Sequence, residues 1–91
     1  MIAYVGYDSY EIGGEWQSHA WARATADMQE DVIAEEHLSV EEEHDIGAIQ
    51  SVLESLLSLG YMEAIDLNES PGLREPHDIA GWLEICQQVS Q

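Results

Sequence analysis

The sequence predicts a small α+β domain in which a mainly antiparallel sheet of two or three strands packs with three helices, and residues 1–91 form one domain. Three observations predict it. A β-branched and aromatic run opens the chain, a Gly-Gly pair follows, and longer stretches then place apolar residues at helical spacing. At 91 residues there is material for one modest core and not for two. The hydrophobic fraction of 45%, with three Trp and four Tyr, separates the chain from acidic disordered tails, which lack the residues that fill a core.

The elements follow in order. Ile2 to Tyr7 is a strand, and the Gly13-Gly14 pair between Tyr10 and Trp16 supplies the positive φ that a tight turn needs. A second strand runs from Glu15 to Ser18 or His19. From His19 to His37 a rotation of 100° per residue gathers Trp21, Ala22, Ala26, Met28, Val32 and Ile33 on one arc. Asp27, Glu30, Asp31 and Glu35 fall on the opposite arc, so a first helix is expected here. Ser39 and Glu42 have the spacing of a capping box, which starts a second helix from Val40 to Leu59. That helix buries Ile46, Ile49, Val52, Leu53, Leu56 and Leu57 and ends on Gly60 in the C′ position. Its other face, with Gly47, Gln50, Ser51, Ser55 and Ser58, is uncharged apart from Glu54. Tyr61 to Leu67 is a strand and Asn68 to Leu73 a loop. Pro76 then opens a last helix with the stripe Ile79, Trp82, Leu83, Cys86 and Val89.

Charge is the unusual property. Nineteen acids stand against two arginines and no lysine, a formal net charge of −17, and such self-repulsion opposes the compact state. A folded chain of this length is about 30 Å across, and the same length of duplex DNA carries roughly 18 phosphate charges. Direct nucleic-acid binding is excluded as a function class, because phosphate contacts need Lys and Arg. No apolar run approaches the roughly 20 residues of a membrane span, and the N-terminus has no basic stretch followed by an apolar block, so no membrane association and a cytoplasmic address in a host cell are expected. The single Cys86 cannot form an internal disulfide or a Cys-rich metal site, and is expected to be buried and reduced.

Catalytic and metal signatures are weak. His37, Glu41 and His44 would share a face only on an unbroken helix, and the capping box at Ser39 breaks it. Neither the zinc-protease spacing nor the EF-hand pattern is present, no nucleophile sits in a recognisable strained turn, and no phosphate-binding loop occurs. The reading is non-enzymatic, with no cofactor and no metal. The acids carry the candidate site instead. Glu41, Glu42 and Glu43 would suit the first turn of the second helix, whereas Glu35 and Glu36 in the last turn of the first would oppose its dipole. Asp27, Glu30, Asp31, Glu35, Glu36, Glu41, Glu42, Glu43 and Asp45 cluster around this junction, as expected of a negative patch that meets a basic partner.

Tyr4-Val-Gly6, then Tyr7, Tyr10, Gly13-Gly14 and Trp16, resembles the opening of plasmid and phage antirestriction proteins of the ArdA type. Ala64-Ile-Asp66-Leu-Asn-Glu69 before a Pro-Gly loop is a second similarity, and the two together cover about a third of the chain. The spacing between the glycines is shorter than in that family, and Gln17 and Ser18 replace its acid after the tryptophan. In size and acidity the chain also resembles small phage anti-CRISPR proteins. Both resemblances imply a DNA mimic that occupies the basic DNA-binding surface of a host CRISPR effector or restriction enzyme, its carboxylates pairing with Arg and Lys. Tyr7, Tyr10 and Trp16 are expected in the core. The alternatives are an acidic protein-interaction module such as an antitoxin, a haloadapted domain and a metal-binding domain. Self-association into a homodimer stays open.

Overall fold

The computed structural model describes residues 1–27 and 31–89. Five strands form one mixed sheet and two helices cover it, in the order β1 (Ile2–Ile12), β2 (Glu15–Arg23), β3 (Val32–Val40), α1 (Gly47–Ser58), β4 (Glu63–Asp66), β5 (Pro76–Asp78) and α2 (Ile79–Val89), with a 3-10 turn at Pro71–Leu73. In space the strands run β3-β2-β1-β4-β5. The β1–β2, β2–β3 and β4–β5 pairs are antiparallel, and β1–β4 is parallel. The expected sheet of two or three strands with three helices is therefore overturned.

The expected helix over His19–His37 does not form among the described residues. Its described parts are the second half of β2 and most of β3, which pair antiparallel with His19 opposite His37 and Trp21 opposite Glu35. The contrast that alternates in β2 is size rather than polarity. Ser18, Ala20 and Ala22 point into the core, and Gln17, His19, Trp21 and Arg23 point away. Alanine is the best helix former, so its presence at the inward positions disguised a period of two as a period of 3.6. Burial beneath α1 decided the outcome, since Ala20 and Ala22 are fully buried. Met28 and Glu30 of the proposed helical arcs lie outside the described residues.

The β1–β2 hairpin matches expectation and extends further. Ile12 faces Glu15 across Gly13 and Gly14, at φ 59° and 88°, the positive values of a two-residue hairpin turn. The strand continues past Tyr7 because every residue to Ile12 finds a partner on β2.

Helix α1 begins seven residues later than expected. Ser39 is inside β3, where its hydroxyl lies 3.4 Å from the Gln17 side chain, so no capping box forms. The chain enters α1 through Asp45, whose carboxylate accepts the Gly47 N–H at 2.7 Å. The expected apolar stripe is present, with Ile49, Val52, Leu53 and Leu56 buried. The helix ends as the sequence predicts. Gly60 has φ 95° and donates to the Leu57 carbonyl, and the Tyr61 N–H reaches back to Leu56, which satisfies the last carbonyls.

At the other edge, Pro76 opens β5 rather than a helix. It faces Ile65 on an edge strand, where a missing N–H is tolerated. Asp78 then caps α2 by accepting the Gly81 N–H at 3.1 Å. Ile79 and Cys86 of the expected stripe are buried and Trp82 and Leu83 pack against them, but Val89 is 69% exposed. Burial pushes the Cys86 thiol pKa up. The core unites Ala3, Val5, Ala20, Ala22 and Ala64 of the sheet with Val52, Leu53, Leu56, Ile79 and Cys86 of the helices, so both helices lie on one face. No helix among the described residues is long and apolar enough to cross a membrane.

Candidate functional site

The acids named from the sequence do not gather at a helix junction. Asp27 and Asp31 lie at the β2–β3 connection, Glu35 and Glu36 within β3, and Glu41, Glu42, Glu43 and Asp45 in the segment between β3 and α1. Glu30 lies outside the described residues. The nine residues of β3 separate the first and last groups by about 30 Å at ~3.3 Å per residue. Glu35 and Glu36 fall on opposite faces of the sheet, Glu35 exposed beside Trp21 and Glu36 half-buried opposite Ala20. The helix-dipole reasoning for these acids falls away with the helices, because the first turn of α1 contains no acid. Glu41, Glu42 and Glu43 instead join Glu11 and Glu15 at the hairpin end of the sheet, where Trp16 faces Val40.

His37 and His44 are also separated. His44 lies beside Glu43 at 4.0 Å in the segment before α1, whereas His37 is in β3 and shares a hydrogen bond with the Tyr10 hydroxyl. The convergence of His37, Glu41 and His44 that an unbroken helix would give does not occur.

The uncovered face of the sheet holds an arrangement that helical reasoning concealed. Antiparallel register sets Gln17 beside Tyr10 and Ser39, His19 beside Asp8 and His37, and Trp21 beside Gly6 and Glu35. The rings form a continuous ladder. Tyr10 meets His37 edge-on at 5.9 Å, His37 stacks on His19 at 4.2 Å with planes 12° apart, and His19 lies 5.1 Å from Trp21. Trp21 rests on Gly6 so closely that a Cβ there would collide with the indole. Only glycine leaves room for this approach. The Trp21 Nε1 and His19 Nε2 atoms are buried in the ladder without a hydrogen-bond partner among the described residues, and the Glu35 carboxylate is 3.7 Å from His19 Nε2. Tyr10, expected in the core, thus belongs to the open face, while Tyr7 packs against the core as expected. The alternation of large rings with Ser18, Ala20 and Ala22 was the available signal in the sequence.

A cavity of about 420 Å³ between β4, β5 and α2 is lined by Asp66, Glu69, His77, Asp78 and Trp82. Its polar groups already serve the fold. Asp66 is 7% exposed, accepts from the Tyr7 hydroxyl at 3.1 Å and from the Asn68 N–H at 2.8 Å, and so holds the start of the loop after β4. The Asn68 amide accepts from the Tyr7 N–H and donates to the Tyr7 carbonyl, which prolongs β4 pairing by one side chain. Burial, then the Asp66 charge and hydrogen bond, push the Tyr7 hydroxyl pKa up to about 12. Glu69 pairs with His77 at 3.3 Å, and Asp78 caps α2.

Comparison with protein-family models, with curated proteins and with solved structures yields no match.

Proposed function

We propose that the protein is a non-enzymatic acidic inhibitor that covers the basic DNA-binding surface of a host defence complex, of the CRISPR or restriction type, as a mimic of duplex charge. The observation that supports it is the absence of compensation. Two arginines can neutralise at most two of nineteen acids, and Arg74 directs its guanidinium to the Glu69 and Leu67 carbonyls at 3.2 and 3.1 Å. The net charge of −17 spread over the 38 Å long axis is one charge per about 2.2 Å, against one per ~1.7 Å of duplex. Carboxylates at both ends of β3 and along it replace the single patch at a helix junction, so the surface offered to a basic groove is elongated. Association is steered by opposite charge and weakens with salt.

The test is DNA binding and cleavage by candidate restriction and CRISPR complexes with the protein as competitor. Inhibition that declines with ionic strength, and declines further when Glu41, Glu42 and Glu43 are each changed to Lys, is the expected result. Failure to inhibit any DNA-binding complex overturns the reading. Haloadaptation is distinguished by melting in dilute buffer, where a haloadapted domain unfolds and an inhibitor of this kind melts cooperatively.

A further inference from the structure

We propose that the open face of the sheet, along the ladder Tyr10, His37, His19 and Trp21, is a docking surface for arginine side chains of a basic protein partner. The proposal rests on the reading that the partner is basic, and adds which face meets it and through which chemistry.

Charge complementarity selects the occupant. Asp8 stands on the same rung of the sheet as His19 and His37, and Glu35 on the rung of Trp21, so carboxylates border the ladder on both sides; Arg23, the next outward residue of β2, stands at its Trp21 end and leaves the stretch of Tyr10, His37 and His19 as the more negative part. The acids at the two ends of β3 extend the same negative field beyond it. A second copy of this chain would bring another −17 against the first, so its like charge opposes self-pairing through this face. A nucleic acid meets the same repulsion. An apolar partner would remove the Asp8 and Glu35 carboxylates from water without a counter-charge, which is costly.

The rings select arginine over lysine. A guanidinium is planar and weakly hydrated, stacks on aromatic and imidazole faces, and can hold a neighbouring carboxylate with two parallel hydrogen bonds. An ammonium is a compact, strongly hydrated charge that gains less from such a surface. The ladder offers the required pair at each step. His37 is exposed and Tyr10, His19 and Trp21 are half-buried, and each lies within one rung of Asp8 or Glu35. The fold keeps the rings fixed before any partner arrives, through the seat of Trp21 on Gly6 and the Tyr10–His37 hydrogen bond. Little side-chain freedom is then lost on binding.

The experiment titrates the full chain with two peptides of equal length and charge, one of arginines and one of lysines, at one ionic strength, with NMR detection. Affinity for the arginine peptide is expected to be greater by about fivefold or more, with shifts at Tyr10, His19, His37 and the Trp21 indole. The exposed-side variant Tyr10→Ala with His37→Ala should bring the two affinities together while leaving the lysine peptide unchanged. Glu41→Gln, Glu42→Gln and Glu43→Gln together should weaken both peptides alike and leave their ratio intact. Equal affinity of the two peptides for the unaltered protein, or shifts confined to the segment from Glu41 to Asp45, overturns the proposal. Because peptide preference is read without any DNA-binding complex, its failure is separate from failure of the inhibition assay.

Discussion

On its covered face β2 presents Ser18, Ala20 and Ala22, and on its open face the same strand presents Gln17, His19, Trp21 and Arg23. Neighbouring positions in one strand thus follow opposite rules. The covered side uses small residues so that α1 can approach the sheet, and the large apolar volume comes from Leu53, Leu56 and Ile79 on the helices. The open side carries its bulk on the sheet itself, as rings with polar atoms, and receives no helix among the described residues. Stability therefore resides mainly on one face, and the exposed rings and carboxylates of β2 and β3 on the other.

The sharpest test of that division is Leu56→Ala. Leu56 is fully buried beneath the covered face, and its truncation should cost about 2–5 kcal/mol in chemical unfolding. A loss below ~1 kcal/mol would mean that the helix layer does not carry the core. Gly6→Ala probes the seat of Trp21 on the open face. Its new Cβ meets the ring system of Trp21, so a loss of about 1–3 kcal/mol should accompany a change in tryptophan fluorescence. Unchanged fluorescence and stability would remove the seat of Trp21 on Gly6.

Tyr7→Phe addresses a covered-face contact, where the hydroxyl holds Asp66. It should cost about 1 kcal/mol near neutral pH through the lost hydrogen bond. It also has a pH signature. The Tyr7 pKa is raised in the folded protein from 10.0 to about 12, so the stability it contributes is complete below pH 10 and is lost as pH rises through about 12. The unaltered protein should lose more stability than Tyr7→Phe across that window, and parallel pH profiles would contradict the assignment. The smallest effect is expected for His37→Ala, an exposed ring on the open face, at within about 0.5 kcal/mol in thermal melting. A larger loss would show that the ladder is a structural element rather than a surface offered to a partner.

The legible parts of the fold were those governed by local chemistry. The Gly13-Gly14 turn, the apolar stripe of α1 and Gly60 at its end each follow from residues within a few positions of one another, and each is present. From His19 to Val40 the alanines favour a helix locally, while the interactions that make the segment two strands come from α1 and from partners across the sheet. The same long-range pairing rearranges the candidate site twice. Glu35 and Glu36 look like neighbours on a helix end and lie on opposite faces of a strand, and His37 finds its ring partners in Tyr10 and His19, 27 residues and a strand away from one another in the first case. Nothing at short range in the sequence links those rings.

Composition alone determined that the surface is acidic, since two arginines cannot balance nineteen carboxylates in any fold. Local residue order determined the turn glycines, by positive φ, and the buried stripe of α1, by a helical period. Tertiary structure decided where the charge lies and what accompanies it. By pairing β2 with both β1 and β3 and placing both helices on one side, it set the acids apart along β3 and brought four rings into contact on the face left open. The physical reason is that strand pairing joins residues distant in the chain, and side-chain direction alternates at each residue, so only register can say which of them meet.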